Sequence, residues 1–371
     1  MKVVAVIPTY NERENIVVLL TELANVFAGD KKHAMSYLVV DDNSPDGTAQ
    51  VVAEYQKTHK NVFIISGKKE GLGKAILRGL TEAFERMHAD AVLQIDADLS
   101  HDPKIAPKLL KALDDGATFA VGSRYIPGGA IPENWGVMRK VYSVAGNTVV
   151  RLGLWHPGVR DWTGGYRAYF RKFYDATHSE MTKYSGYVFQ IAFLHKSIHH
   201  GAVIKEIPFH FTDRLYGHSK IAPAEYIFNI YKYIALSRFT ELSGSPFFKF
   251  GVVGTVGFII NTVILELLVH GGFHPAVGSA LGAECAIISN FFLNNSWTFA
   301  HKKISGARML PKLVQFNVTS LGALVIQTAS VFAGTAVWGH AAYFASYIAG
   351  VGLGLIWNYT MYSRVIWKHQ A

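Results

Sequence analysis

The run Ala91-Val92-Leu93-Gln94-Ile95 ends in Asp96-Ala97-Asp98-Leu99-Ser100, which places two carboxylates two residues apart directly after an apolar stretch. An apolar run of this kind reads as a strand buried in a parallel sheet. Open α/β sheets place ligands just beyond the carboxyl ends of such strands. Two bare aspartates there repel each other, and a divalent cation removes the repulsion. Hard oxygen donors suit Mg²⁺ or Mn²⁺, which take one or two carboxylates plus substrate phosphates. Asp96 and Asp98 therefore read as a metal–diphosphate site. A blander alternative is a solvated turn leading into a helix capped near Asp102-Pro103.

Other groups able to do chemistry cluster at similar positions. Glu12, Asp41 and Asp42 also follow apolar runs, so the expected sheet edge is acidic and suits a cation and hydroxyl-rich ligands. Arg124, Arg139 and Lys140 come later, and Arg214, His218, Ser219 and Lys220 surround Gly217 in a compact basic loop. Guanidinium groups grip phosphate bidentately, which makes these cations candidates for a second phosphate. Each alone is more often a solvated surface charge.

Strand and helix patterns alternate over residues 1–125, as in a parallel sheet with crossover helices. Val3-Val4-Ala5-Val6-Ile7 is followed by Pro8-Thr9-Tyr10-Asn11-Glu12 and a helix with Ile16, Leu19, Leu20, Leu23 and Phe27 at helical spacing. Tyr37-Leu38-Val39-Val40 runs into Asp41-Asp42 and the turn signal Pro45-Asp46-Gly47. Val62-Phe63-Ile64-Ile65 precedes Gly71 and Gly73, a helix is expected over Ala75–Met87, and Phe119-Ala120-Val121-Gly122 leads into Ser123-Arg124-Tyr125.

The glycines do not signal a nucleotide cofactor. Gly71-Leu72-Gly73-Lys74-Ala75-Ile76 starts like a dinucleotide fingerprint, but Ile76 stands in the third glycine's place. A phosphate-binding P-loop fails too, with Lys68 where its first glycine should be and Ala75 where a Mg²⁺-binding hydroxyl should be. The glycines fit a helix N-terminus that a backbone or phosphate approaches closely.

Composition breaks near Gly244-Ser245-Pro246. Beyond it lie Phe250–Val269, Pro275–Leu293, Leu313–Val337 and Tyr343–Tyr362, each near the ~20 apolar residues that cross a bilayer. They account for a mean hydropathy of +0.17 in a chain whose first two-thirds look water-soluble. His270–His274 and Gly339–Ala342 contain no Lys or Arg, whereas Lys302, Lys303, Arg308 and Lys312 separate the second and third spans, and Arg364 and Lys368 follow the fourth. The positive-inside rule then expects the basic loop, the C-terminus and the N-terminal domain in the cytoplasm. Ala222–Leu242 reads as a helix with Ile227, Phe228, Tyr231, Ile234, Leu236 and Phe239 beside Lys232 and Arg238, suited to the headgroup plane or to an ordinary core. Three regions are expected: 1–220, an α/β catalytic domain; 221–245, amphipathic interface helices; and 246–371, a four-helix membrane domain.

The 371 residues carry a net charge of +9, which suits anionic headgroups and phosphate-bearing substrates. No basic nucleic-acid motif accompanies it. The lone Cys285 falls inside an expected span, so neither an intrachain disulfide nor a zinc cluster is expected. The chain opens on a strand without a basic n-region or small-residue cleavage site, so no secretory leader is expected.

Taken together, Pro8-Thr9-Tyr10-Asn11-Glu12, Asp41-Asp42-Asn43-Ser44, Gly71-Leu72-Gly73-Lys74-Ala75, Asp96-Ala97-Asp98-Leu99-Ser100-His101 and Gly122-Ser123-Arg124-Tyr125 resemble the inverting family 2 glycosyltransferases of GT-A fold. Asp161-Trp162-Thr163-Gly164-Gly165-Tyr166-Arg167, Ser185-Gly186-Tyr187-Val188-Phe189-Gln190 and Arg214–Lys220 narrow the resemblance to the polyprenol-phosphate mannose synthases, over about residues 1–240. Phe250-Gly251-Val252-Val253-Gly254 and Asn290-Phe291-Phe292-Leu293-Asn294-Asn295-Ser296-Trp297-Thr298-Phe299 resemble the GtrA-like four-helix membrane domain.

The resemblance implies an α/β GT-A domain with a mostly parallel sheet, an all-α transmembrane domain, and transfer of mannose from GDP-mannose to dolichyl or polyprenyl phosphate. It implies donor binding by Pro8, Tyr10, Glu12, Asp42, Lys74, Asp96, Ala97, Asp98 and Arg124, with Mg²⁺ or Mn²⁺ held by Asp96, Asp98 and Ser100 or a water. Some relatives carry Gln where Ser100 stands. The acceptor phosphate already bears about −1.5 to −2 charges near neutral pH, so no strong general base is required. The chain contains no Glu-Asp dipeptide and no Gln-x-x-Arg-Trp motif, both usual in processive polysaccharide synthases of the family. Catalytic roles are expected for Asp98, Arg124, Arg139, Arg214 and Lys220 as orienting and charge-neutralising groups, with Asp161 orienting sugar or arginines. No obligatory protein partner is expected. Two other readings stay open: a polyprenyl-phosphate glucosyltransferase using UDP-glucose, and a non-catalytic lipid-linked sugar translocator or scaffold, to which Glu266 and Glu284 within the spans are relevant.

Overall fold

A computed structural model describes residues 1–213 and 224–368. The chain divides into two units, Met1–Arg238 and Phe239–Ala371.

The first unit runs β1 (Lys2–Thr9), α1 (Arg13–Phe27), β2 (Ala34–Asp41), α2 (Thr48–Gln56), β3 (Val62–Ser66), α3 (Leu72–Thr81), β4 (Ala91–Gln94), α4 (Ala106–Asp114), β5 (Phe119–Ser123), α5 (Val137–Gly153), β6 (Arg167–Phe170), α6 (Arg171–Met181), α7 (Gly186–His199) and β7 (Ile204–Pro208). The boundary between the units falls within α8 (Ala224–Gly244). The seven strands form one sheet in the order β3-β2-β1-β4-β6-β5-β7. The order reverses between β1 and β4, both parallel to each other, where α/β sheets open a crevice for ligands.

Successive strand residues point to opposite faces, so each strand feeds two cores. Val4 and Val6 of β1 join Leu38, Val40, Phe84, Val92, Phe119 and Phe193 on one face. Val3, Ala5 and Ile7 join Val39, Leu93, Ala120 and the buried stripe Ile16, Leu19, Leu20, Leu23 and Phe27 of α1 on the other. Burial on both sides explains why these strands read as unbroken apolar runs.

The helix expected over Ala75–Met87 begins at Leu72, because Gly71 turns the chain at φ 96°. It closes in a π-turn over Glu82–Arg86, where the Met87 amide donates to the Glu82 carbonyl at 2.9 Å. β6 is antiparallel to both β4 and β5, with Arg167 opposite Gln94 and Val121. An antiparallel strand begins where its parallel neighbours end. The segment before Arg167 is thereby delivered to the edge that carries Asp96.

The second unit consists of α9 (Pro246–His270), α10 (Pro275–Leu293), α11 (Met309–Trp338) and α12 (Tyr343–Met361). All four expected spans are helices long and apolar enough to cross a membrane. Small residues bring the pairs together: a Cβ on Gly278 would lie 3.1 Å from Leu265, and one on Gly354 would lie 3.2 Å from Ala323. Phe250, Phe291, Phe299, Phe316, Tyr362 and Trp367 form an aromatic cluster at the end of the bundle that carries the basic loop. Asn295 ties that end together, accepting from the Ile304 amide at 2.7 Å and the Trp367 indole at 3.0 Å.

Candidate active site

Asp96 and Asp98 stand on a tight turn at the end of β4, with Leu99 at φ 62°. Asp98 is buried, and its Oδ1 accepts from the Ser100 hydroxyl at 2.6 Å and the Ser100 amide at 3.1 Å. Asp96 is about one-third exposed, at 32%. The Asp96 amide donates to Nδ1 of His101 at 3.2 Å, while His101 Nε2 lies 3.8 Å from Asp96 Oδ2. His101 is buried and stacks on Tyr166 with centroids 4.9 Å apart. Burial lowers its pKa below the ordinary histidine value against the pull of Asp96 and Asp98. A neutral imidazole there would add no positive charge to repel a cation bound by the carboxylates.

The second wall is the loop before β6. Asp161 accepts from Arg124 in two prongs, Nε to Oδ2 at 2.7 Å and Nη2 to Oδ1 at 2.8 Å, and also from the Arg124 amide at 3.1 Å. Arg124 Nη2 further donates to the Thr163 hydroxyl at 2.9 Å. Burial disfavours both charges, yet the mutual attraction outweighs it: the Asp161 pKa lies below the usual range and that of Arg124 above its own. Arg167 braces the loop from below, donating to the carbonyls of Gly164 at 2.9 Å, Trp162 at 2.9 Å and Gln190 at 2.7 Å. Burial pulls its pKa down to about 10, which still leaves it charged near neutrality. Gly165 joins the two walls, because a Cβ there would stand 3.2 Å from Asp96 Oδ1.

The ends of β1 and β2 form the third part. Asp41 Oδ1 accepts from the Thr9 hydroxyl at 3.1 Å and the Ser44 hydroxyl at 2.6 Å. The Asn11 and Glu12 amides donate to Ser44 Oγ and Thr48 Oγ1, both at 3.0 Å, so the β2–α2 loop fixes the turn after β1. Asp42 pairs with Arg78, and burial nonetheless holds its pKa above the ordinary value. Lys69 lies 3.3 Å above the ring of Tyr10, which is itself exposed.

Pro8, Tyr10, Glu12 and Asp42 thus line the ends of β1 and β2, and Asp96, Ala97, Asp98 and Ser100 share the turn after β4. Lys74 is half-buried in the first turn of α3, where a Cβ added to Gly73 would stand 3.0 Å from the Phe189 side chain. Arg139 sits at the start of α5, 3.8 Å above the Trp135 ring and 3.5 Å from Asp213. Arg214, His218 and Lys220 lie outside the described residues. Sequence reasoning gave no part to Thr163, Gly165 or the imidazole of His101. It also passed over the exposed Val137, Met138, Val141, Tyr142 and Val144 of α5, whose helical spacing is visible in the chain.

The donor set fits a hard divalent cation: two carboxylates on one turn, one held in place by hydroxyl and amide donors, and, among the described residues, no sulfur or charged imidazole beside them.

Residues 4–177 match the model of glycosyl transferase family 2, and residues 249–367 match that of the GtrA/DPMS transmembrane domain. A dolichol-phosphate mannosyltransferase of Pyrococcus furiosus is 33% identical over 328 residues, 88% of each chain. A polyprenol monophosphomannose synthase of Mycolicibacterium smegmatis is 37% identical over 60% of this chain and 81% of its own. Among solved structures, mannosyl-3-phosphoglycerate synthase from Rubrobacter xylanophilus superposes with a TM-score of 0.47 at 20% identity, covering 65% of this chain and 74% of its own. With both domains matched and one relative aligned over most of its length, the chain belongs to the family 2 glycosyltransferases that carry a GtrA/DPMS transmembrane domain, together with the dolichol-phosphate mannosyltransferases.

Proposed function

We propose that this enzyme transfers mannose from GDP-mannose to the phosphate of dolichyl or another polyprenyl phosphate, with inversion, using Mg²⁺ or Mn²⁺. The observation that carries the reading is the Asp96/Asp98 turn beside the Arg124–Asp161 pair, in a chain that aligns with a mannosyltransferase over both domains.

The donor lies along the ends of β1, β2 and β4, against Pro8, Tyr10, Glu12, Asp42 and Lys74. Asp96 and Asp98 hold the cation, with Ser100 or a water completing the set. When bound, that ion neutralises the departing diphosphate. Arg124 is fixed by Asp161 before substrate arrives and so presents an oriented positive charge at no reorganisation cost. Arg139, Arg214 and Lys220 position the acceptor phosphate. That phosphate attacks unaided, since it is already anionic. The chain's task is alignment and charge neutralisation rather than proton transfer.

The acceptor is a lipid, and the protein has apolar surfaces to meet it. Val137, Met138, Val141, Tyr142 and Val144 of α5 and Ile227, Phe228 and Tyr231 of α8 are exposed. Both helices suit the headgroup plane. The spans orient the enzyme with the basic end, and hence the catalytic domain, in the cytoplasm.

The test is transfer of radiolabelled mannose from GDP-mannose into a lipid fraction by the full chain with a short polyprenyl phosphate. It is run with and without Mg²⁺ or Mn²⁺, beside Asp98→Ala and a UDP-glucose control. Metal-dependent label that Asp98→Ala loses supports the reading. Label from UDP-glucose alone would replace the sugar, and none from either donor would overturn the proposal.

A further inference from the structure

Away from the carboxylates, three imidazoles converge. His195 and His199 lie one turn apart on α7, and their rings approach to 4.4 Å between centroids. His156, on the loop after α5, stands 5.5 Å from His195 and 5.9 Å from His199 by the same measure. One nitrogen of each ring falls within 4.8 Å of those of the other two. A pair of histidines at i, i+4 on a helix face, with a third from a separate loop, matches the way three-histidine zinc sites are assembled.

From this geometry we infer that His156, His195 and His199 bind a divalent transition metal, with Zn²⁺ the ion they suit best. Imidazole donors without a carboxylate favour Zn²⁺ over Mg²⁺ or Mn²⁺, so this site and the Asp96/Asp98 turn select different ions. The fourth position goes to water.

Two further features fit. Tyr233 of α8 places its hydroxyl 3.0 Å from His195 Nδ1, an outer partner that fixes the ring and leaves Nε2 as the nitrogen for the ion. His195 is buried, which keeps bulk water from competing for the ion at that ring. Lys196 and Arg238 oppose a cation, but Lys196 is paired with Glu180. The site is a structural clasp. His156 and His195 stand 6.1 and 6.4 Å from the Trp162 ring, and Trp162 follows Asp161 directly. A bound ion would tie α7 to the loop that orients Arg124.

The experiment uses the full chain, without a polyhistidine tag, in detergent with excess Mg²⁺ to saturate the carboxylates. After equilibrium dialysis against limiting Zn²⁺, metal per chain is measured by mass spectrometry, and Co²⁺ is followed by its visible absorption. The wild type is expected to retain about one Zn²⁺ per chain, to show a tetrahedral Co²⁺ band and to melt higher with Zn²⁺. His199→Ala, at an exposed position, and His156→Ala should each weaken retention by about tenfold or more, with the metal-free melt and circular dichroism unchanged. Asp98→Ala should retain Zn²⁺ as the wild type does. Equal Zn²⁺ in wild type and both histidine variants, or none in any, would overturn the inference while leaving the transferase reading intact.

Discussion

Arg124 and Asp161, 37 residues apart in the chain, meet in a two-pronged ion pair with Nε–Oδ2 at 2.7 Å and Nη2–Oδ1 at 2.8 Å. Asp161 is fully buried, and the pair connects the end of β5 to the loop before β6. Glu206 of β7 secures the same loop, accepting from the Arg160 and Asp161 amides at 3.0 Å each. One carboxylate thus fixes the backbone of this wall while another fixes its cation.

Removing one partner leaves the other charge buried and uncompensated. Asp161→Ala is therefore expected to destabilise the protein by about 3–5 kcal/mol. The pH dependence has a definite sign. Folding lowers the Asp161 pKa below its ordinary 3.8, so the stabilisation is fully present above that value and is lost as pH falls through the lower folded value. Melting of the wild type and Asp161→Asn from pH 7 down to about 3 checks this, the contribution coming from a carboxylate pKa shift. Parallel loss of stability in both proteins across that acid range would show that the carboxylate contributes nothing there.

Gly165 is the point of closest approach between the two walls. In Gly165→Ala the new methyl would meet Asp96 Oδ1 at 3.2 Å and Oδ2 at 3.4 Å, and the carboxylate must give way. Turnover at limiting metal is expected to fall by about tenfold, since displacing a catalytic group slightly is costly. The fold should survive. Gly158→Ala, where a Cβ meets nothing within 4 Å, is the control. Matched metal titrations of the two variants decide the matter, and identical curves would remove Asp96 from the metal set.

Ser100 holds Asp98 through its hydroxyl and its amide. Ser100→Ala keeps the amide and loses the 2.6 Å hydroxyl bond, worth about 1–2 kcal/mol to a charged acceptor. The expected result is an increase of about five- to thirtyfold in the Mg²⁺ or Mn²⁺ concentration for half-maximal transfer, the rate at saturation being nearly restored. If the saturating rate collapses instead, Ser100 does more than hold Asp98.

Much of this arrangement is legible in the chain because its causes are local. Buried parallel strands must be apolar throughout, so Val3–Ile7 and Tyr37–Val40 announce themselves, and bilayer spans do so by length. β6 is different. It opens on Arg167, a residue that reads as surface and is fully buried among three carbonyls, and its place between β4 and β5 is a matter of pairing rather than of propensity. The Arg124–Asp161 bond and the convergence of His156 on α7 likewise join residues far apart in the chain, and no local pattern specifies either. The apolar face of α5 was legible by spacing, yet nothing in the chain says that those residues face outward.

The membrane unit offers a test that leaves the catalytic residues untouched. At Gly282 of α10 an added Cβ would stand 2.7 Å from the backbone carbonyl oxygen of Asn261 on α9, an atom that cannot swing aside. At Gly254, on α9, it would meet nothing within 4 Å. Forcing a side chain into a packed helix contact costs about 1–3 kcal/mol or more, and helices in lipid rely on such close approach because the tails offer no hydrophobic drive. Gly282→Leu is therefore expected to separate α9 from α10, lower the melting temperature in detergent and expose the loop at His270–His274 to protease. Gly254→Leu should do neither. Equal protease resistance in the two variants would mean that the α9–α10 contact does not hold the bundle together.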